Sequence, residues 1–149
     1  LSGVPIDPTE AIYQGDALEW DGSAKQATKA GPSATAFIGI SETTNPIETA
    51  GSASLLSDLS NSMVTVMQDA LVERIAEASE TLYPFDKMTV GSDAQKACKA
   101  WATNANVCYV VDPKWATASG KAVVAGDVIR VWLKPRPAYT SGPASAPQA

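Results

Sequence analysis

The side chains in this chain that could do acid–base or nucleophilic chemistry are few, and none is a histidine. That absence removes Ser-His-Asp and Cys-His catalysis, HExxH zinc sites and imidazole general bases together. What remains would have to run on carboxylates, lysines or tyrosines. Asp69, Glu73 and Glu77 recur every fourth residue. On a helix they would share one face, where two could serve as general acid and base. On a strand edge or a solvated face, with Arg74 beside them, they only keep a surface wet. Asp16, Glu19, Asp21 and Asp86 could ligate a hard cation through oxygen. They lack EF-hand spacing, however, and Asp in such surroundings is ordinarily a turn former. Cys98 and Cys108 form no CxxC pair and read as two half-buried thiols of a reducing compartment. The chain is therefore expected to be no enzyme, with no catalytic centre, no metal and no cofactor.

Two further sets of residues could recognise a partner. Trp20, Trp101, Trp115 and Trp132 could stack on sugars or anchor an interface. Trp20 and Trp132 fall inside apolar runs and read as core, whereas Trp101 and Trp115 flank polar loops and are interface candidates. Lys25, Lys29, Lys96 and Lys99 could meet an acidic surface or simply be solvated. With a net charge of −5 and a pI near 4.6, the chain offers no basic patch for a phosphate backbone or an anionic membrane. No apolar run is long enough to cross a bilayer as a helix. "LSGVPIDPTE" has neither the basic nor the apolar region of a signal peptide.

The elements that must position these residues are short. With 45% hydrophobic residues, the 149-residue chain can bury a core. Its apolar segments are cut every few residues by Gly, Asp, Asn or Pro, the rhythm of an all-β domain. Strands are expected at 17–20, 36–41, 63–68, 87–91, 106–112 and 127–134. "DGS" at 21–23 predicts a hairpin turn of type I′, and Gly39 inside "AFIGIS" predicts a bulge or close backbone approach. Residues 71–78 fit a helical face or a return strand, and the flanking strands favour the strand. Any helix is confined to 52–60 or 69–79. Residues 1–10, with Pro5 and Pro8, read as an extended arm. Residues 11–134 read as one β domain, and 135–149 as a Pro/Ser/Ala-rich tail.

One stretch returns seventy residues later. "YQGDALEWDGSAKQATKA" at 13–30 aligns with 83–100 through Tyr13/Tyr83, Asp16/Asp86, Ala24/Ala94, Ala27/Ala97, Lys29/Lys99 and Ala30/Ala100. Phe85 stands where Gly15 would align. The order "YQGDALEW", Ala-rich ramp, "FIGIS", polar insertion and "VTVM", repeated as "LYPFDKMTV", "CYVVD" and "GDVIRVWL", resembles the head decoration (cement) proteins of tailed bacteriophages. That resemblance implies a compact β-barrel or β-tulip-like body built from two related strand–turn units, often a homotrimer, on the outer surface of a capsid. The partners would be the major capsid protein and further copies of the chain, and the site would be the virion exterior after synthesis in the host cytoplasm. The interface is expected in the arm, at Leu1, Val4, Pro5, Ile6 and Pro8, and at Trp101 and Trp115. The competing expectation is a small carbohydrate- or receptor-binding β module of a phage fibre or a secreted enzyme.

Overall fold

The structure is a computed structural model that describes residues 1–7, 9–32, 34–45, 63–99 and 107–133. Three turns of one design organise it. In each, the fourth residue is an aspartate whose N–H donates to the carbonyl of the first residue, while its carboxylate accepts the first residue's N–H. The turns are Tyr13–Asp16, Tyr83–Asp86 and Val124–Asp127, with side-chain bonds of 2.9, 2.8 and 2.9 Å. The third residue of each has positive φ: Gly15 at 97°, Phe85 at 66° and Gly126 at 97°. With φ negative at the second residue, these are type II turns, whose third position ordinarily calls for glycine. Each also docks on a neighbouring strand in the same way. The third residue donates to Ser41, Val111 or Ala76, and each of these donates back to the turn's aspartate carbonyl.

The described residues hold thirteen strands: β1 (Val4–Pro5), β2 (Ala17–Asp21), β3 (Gln26–Lys29), β4 (Phe37–Ser41), β5 (Met63–Val64), β6 (Val66–Met67), β7 (Leu71–Ala76), β8 (Glu80–Leu82), β9 (Lys87–Val90), β10 (Lys96–Lys99), β11 (Tyr109–Val111), β12 (Lys121–Val123) and β13 (Val128–Leu133). No helix occurs among the described residues. The ambiguous 71–78 stretch is a strand, because β7 pairs with β13 over five residue pairs. Residues 52–60 lie outside the described residues. The Ala/Lys ramps at 26–29 and 96–99 are strands too, β3 and β10, held by backbone pairing rather than by large apolar side chains.

The second half is a closed barrel in the order β10-β7-β13-β11-β9, with a parallel β10–β7 pair completing the ring. The first half repeats its order as the sheet β3-β2-β4-β6. Registers coincide at the seventy-residue offset: Leu18 faces Lys29 and Gly39, and Met88 faces Lys99 and Tyr109. The parallel Ala76–Ala97 pair has its counterpart in a parallel Ile6–Ala27 bridge. Leu1 exchanges main-chain bonds with Val66, as its counterpart Leu71 pairs with Trp132. The repeat therefore includes residues 1–6, and β1 with Ile6 is the first half's closing strand.

The N-terminal segment lies on the chain's own sheet. Residues 1–7 are extended, but β1 pairs with β5, and Val4 and Ile6 are 8% and 3% exposed beneath the chain's own sheet. Of the arm residues expected at an interface, Leu1 and Pro5 are exposed, and Pro8 lies outside the described residues. The "DGS" turn also differs in kind. Four residues join β2 to β3, Asp21 accepts the N–H groups of Ser23 and Ala24, and the left-handed residue is Lys25 rather than Gly22. Residues 134–149 lie outside the described residues.

Inside the first half pack Val4, Ile6, Ile12, Leu18, Ala27, Ile38, Val64 and Val66. Most have buried partners seventy residues on, among them Ala76, Leu82, Met88, Ala97 and Cys108 inside the barrel. The other face of the first sheet, through Ala17, Phe37 and Ile40, joins the barrel's cluster. Phe37 meets Tyr109 edge to face at 5.6 Å. Arg74 occupies the position of Val4 and staples the halves. Its buried guanidinium donates to Gly15 O at 2.7 Å and Ala94 O at 3.2 Å.

Gly39 is the tightest backbone approach in the first half. It has φ of 138°, lies beside a bulge at Leu18/Glu19, and a Cβ there would strike the Met67 carbonyl and come within 2.8 Å of Val66 Cγ1. Gly39→Ala is expected to cost about 3 kcal/mol or more, lowering the melting temperature by roughly 10 °C. Urea unfolding of the variant checks this, and an unchanged midpoint would contradict the close approach.

Candidate functional site

Around the second turn the chain gathers aromatic and lysine side chains at the surface. β8 delivers Tyr83, the turn delivers Phe85 and Asp86, β9 begins with Lys87, and β10 ends with Lys99. Phe85 is 51% exposed and Tyr83 42%. Lys99 Nζ stands 5.4 Å from the Tyr83 ring centroid and 3.3 Å from Asp86 Oδ2, so one ammonium ties ring and carboxylate together. A shallow groove of about 320 Å³ runs between Phe85, Asp86, Lys87 and Lys99. Gly120 lies against Tyr83: a Cβ there would be 2.9 Å from its ring. Beyond it, Lys121 pairs with Leu82 and sets its ammonium 4.7 Å above Trp115, whose ring is half-buried against the main core.

Phe85 is the unusual member. The equivalent residues of the sister turns are glycines. A bulky residue in the left-handed region costs about 1–3 kcal/mol. Phe85 does not recover that cost by burial, because half of it faces solvent. The strain therefore keeps an aromatic ring at the surface, beside lysines, on an acidic chain. The first turn repeats part of this display, with Lys29 Nζ 5.9 Å from the Tyr13 centroid, but carries Gly15 where Phe85 stands.

The residues proposed from sequence fall as follows. Trp115 belongs to this surface. Trp101 lies outside the described residues. Trp20 is half-buried on the first half's core, and Trp132, expected in the core, is 45% exposed on the outer face of β13. β13 alternates, and Trp132 falls on its outward phase. Asp16, Asp21 and Asp86 each accept turn N–H groups, so they are turn formers. Burial pushes the Glu19 carboxyl above its ordinary range. Glu73 and Glu77 do not share a helical face. Glu73 meets Arg130 at 3.7 Å, while Glu77 accepts the N–H and hydroxyl of Ser92, bonds that hold its carboxyl below the usual range. Among the described residues no group of three or more Cys, Asp or Glu is placed to hold a metal ion. Phe85 was visible in the sequence only as a departure from the repeat. The signal was there, because a type II turn aligned on Gly15 predicts left-handed backbone at position 85.

Both cysteines are free, and burial pushes each thiol up to about 11. A thiol of that kind is a poor nucleophile at neutral pH. No protein-family model matches the chain, and no curated protein matches it significantly.

Two outcomes are expected here. Phe85→Gly should keep the fold and raise stability by about 1 kcal/mol, relief of strain outweighing the extra freedom of glycine when unfolded. A loss of stability in urea unfolding would show that Phe85 packs on its own chain. Native protein at pH 8 should react with a disulfide reagent far more slowly than unfolded protein at both Cys98 and Cys108; prompt native reaction would contradict the burial of Cys108 or the raised thiol of the half-buried Cys98.

Proposed function

We propose that this chain is a structural, non-catalytic virion protein that decorates the outer surface of a phage capsid and binds the major capsid protein. The observation that carries the reading is Phe85, a strained and exposed aromatic ring that lines a groove with Lys87 and Lys99, the latter standing over Tyr83. Aromatic anchors rimmed by charge are the usual centres of protein interfaces. Lysines on an acidic chain fit an acidic, apolar-pocketed surface better than a phosphate polymer. The repeated strand–turn order that resembles cement proteins extends into matched strand register and matched buried positions. This supports a chain of two such units.

The carbohydrate-binding alternative is less well served. A sugar stacks on an open aromatic face, and Trp115 is packed on the core on one side and covered by Lys121 on the other.

Mass spectrometry of virus particles purified from the source should find this chain in hundreds of copies. Emptied shells should take up the wild type and bind Phe85→Gly at least roughly tenfold more weakly, the loss of about 1.4 kcal/mol. Absence from the particles, or retention on polysaccharide with no binding to shells, would overturn the assignment.

A further inference from the structure

The outward face of the β7–β13 pair has no role in the surface just described. Its residues stand in three cross-strand couples: Leu71 opposite Trp132, Glu73 opposite Arg130, and Ile75 opposite Val128. The intervening Ile129 and Val131 point into the barrel and are fully buried. On the outside, Leu71, Val128 and Trp132 are 41%, 56% and 45% exposed. The outer face of a two-layered β body is normally polar, so a face with apolar residues at both ends and one ion pair at its middle needs an explanation.

From this pattern we infer that the β7–β13 face is a docking surface for a second copy of the same chain, related by a two-fold axis parallel to the strands. The charge arrangement selects both the partner and the axis. Turning a copy about an axis along the strands, and laying it face to face, exchanges the two strands while keeping the position along them. Glu73 of each copy then lies over Arg130 of the other, Leu71 over Trp132, and Ile75 over Val128. Every charge meets its opposite, and every apolar residue meets an apolar one. An axis across the strands would stack Glu73 on its own copy and Arg130 on its own, and the like charges would repel. The intrachain pair, 3.7 Å apart and largely exposed, contributes little to the isolated chain. Between two copies it becomes a ring of four alternating charges, closed off from water by Trp132 at one end and Val128 at the other. Such self-complementarity is the mark of an isologous contact. A trimer, which the cement-protein resemblance implies, cannot use this face in that way.

Sedimentation velocity from about 5 to 200 µM tests the arrangement. The wild type should show a reversible monomer–dimer equilibrium. Glu73→Arg and Arg130→Glu should each remain folded and each dimerise at least roughly tenfold more weakly, because each places like charges together. Mixing the two variants should restore dimers, since Arg at 73 of one then faces Glu at 130 of the other, and Glu at 73 faces Arg at 130. Trp132→Ser should weaken both the wild-type dimer and the mixed dimer. A monomeric or trimeric wild type, single variants that dimerise as the wild type does, or a mixture that stays monomeric would each overturn the inference. So would a wild type that dimerises only after removal of residues 134–149, because the chain's own tail would then be the occupant.

Discussion

The aspartate-capped type II turn is the constraint on which the rest of the molecule depends. It fixes where β2, β9 and β13 begin, and it ties each to the end of the strand beside it through a reciprocal pair of main-chain bonds. Strands of two to six residues have little pairing energy of their own, so register must come from elsewhere. Here the carboxylate supplies it. Satisfying the first residue's N–H leaves only one way to enter the strand. The side chains of the following residues then alternate into one core from a fixed starting phase.

The two halves use that device identically but bury different things with it. The second half closes its ring entirely through strands. The first closes it in pieces, with β1, β5 and the Ile6–Ala27 bridge standing where one continuous strand serves in the other. Where the halves meet, polar bonds add to the apolar packing of Phe37 on Tyr109. Arg74 and Gln95 reach the first turn, Gln95 bonding Asp16 at 3.1 Å, and Ala94 accepts from both Ala17 and Arg74. Carbonyl oxygens rather than carboxylates partner the Arg74 side chain. The guanidinium is thereby desolvated over many weak acceptors instead of in one strong pair. The Tyr109 hydroxyl is buried near Arg74, and burial pushes its ionisation far up.

Much of the fold was legible in the sequence because turn chemistry is local. Asp16 and Asp86 read as turn formers, 63–68 as a strand, and the Tyr13/Tyr83 alignment as the duplication. β3 and β10 were not legible as strands. "QATK" and "KACK" pair through backbone and small side chains, which leave no apolar periodicity to read. The arm was legible only in part for a related reason: two prolines and three spaced apolar residues describe an extended segment, but not whose surface it lies on. Only the first half's open edge, which is non-local, decides that. Trp132 was misplaced because hydrophobicity alone cannot give the phase of a strand. The aromatic–lysine surface was the least legible part, since its members come from β8, β9, β10, β12 and two turns that meet only in three dimensions.

The substitution of Arg74 for Val4 has a consequence for how the chain avoids misassembly as it leaves the ribosome. Leu1–Ile6 and Leu71–Ala76 are near-equivalent closing strands, and each must wait for a partner more than fifty residues downstream, Val66 for one and Ile129 to Trp132 for the other. Tandem copies of one unit are prone to exchange such pieces. An exchange here would not be silent. Arg74 in the place of Val4 would carry a cation into an apolar interior far from Gly15 O and Ala94 O. Val4 in the place of Arg74 would leave those carbonyls without their donors. The residue that joins the finished halves thus also proofreads their construction, because only the correct threading satisfies its charge.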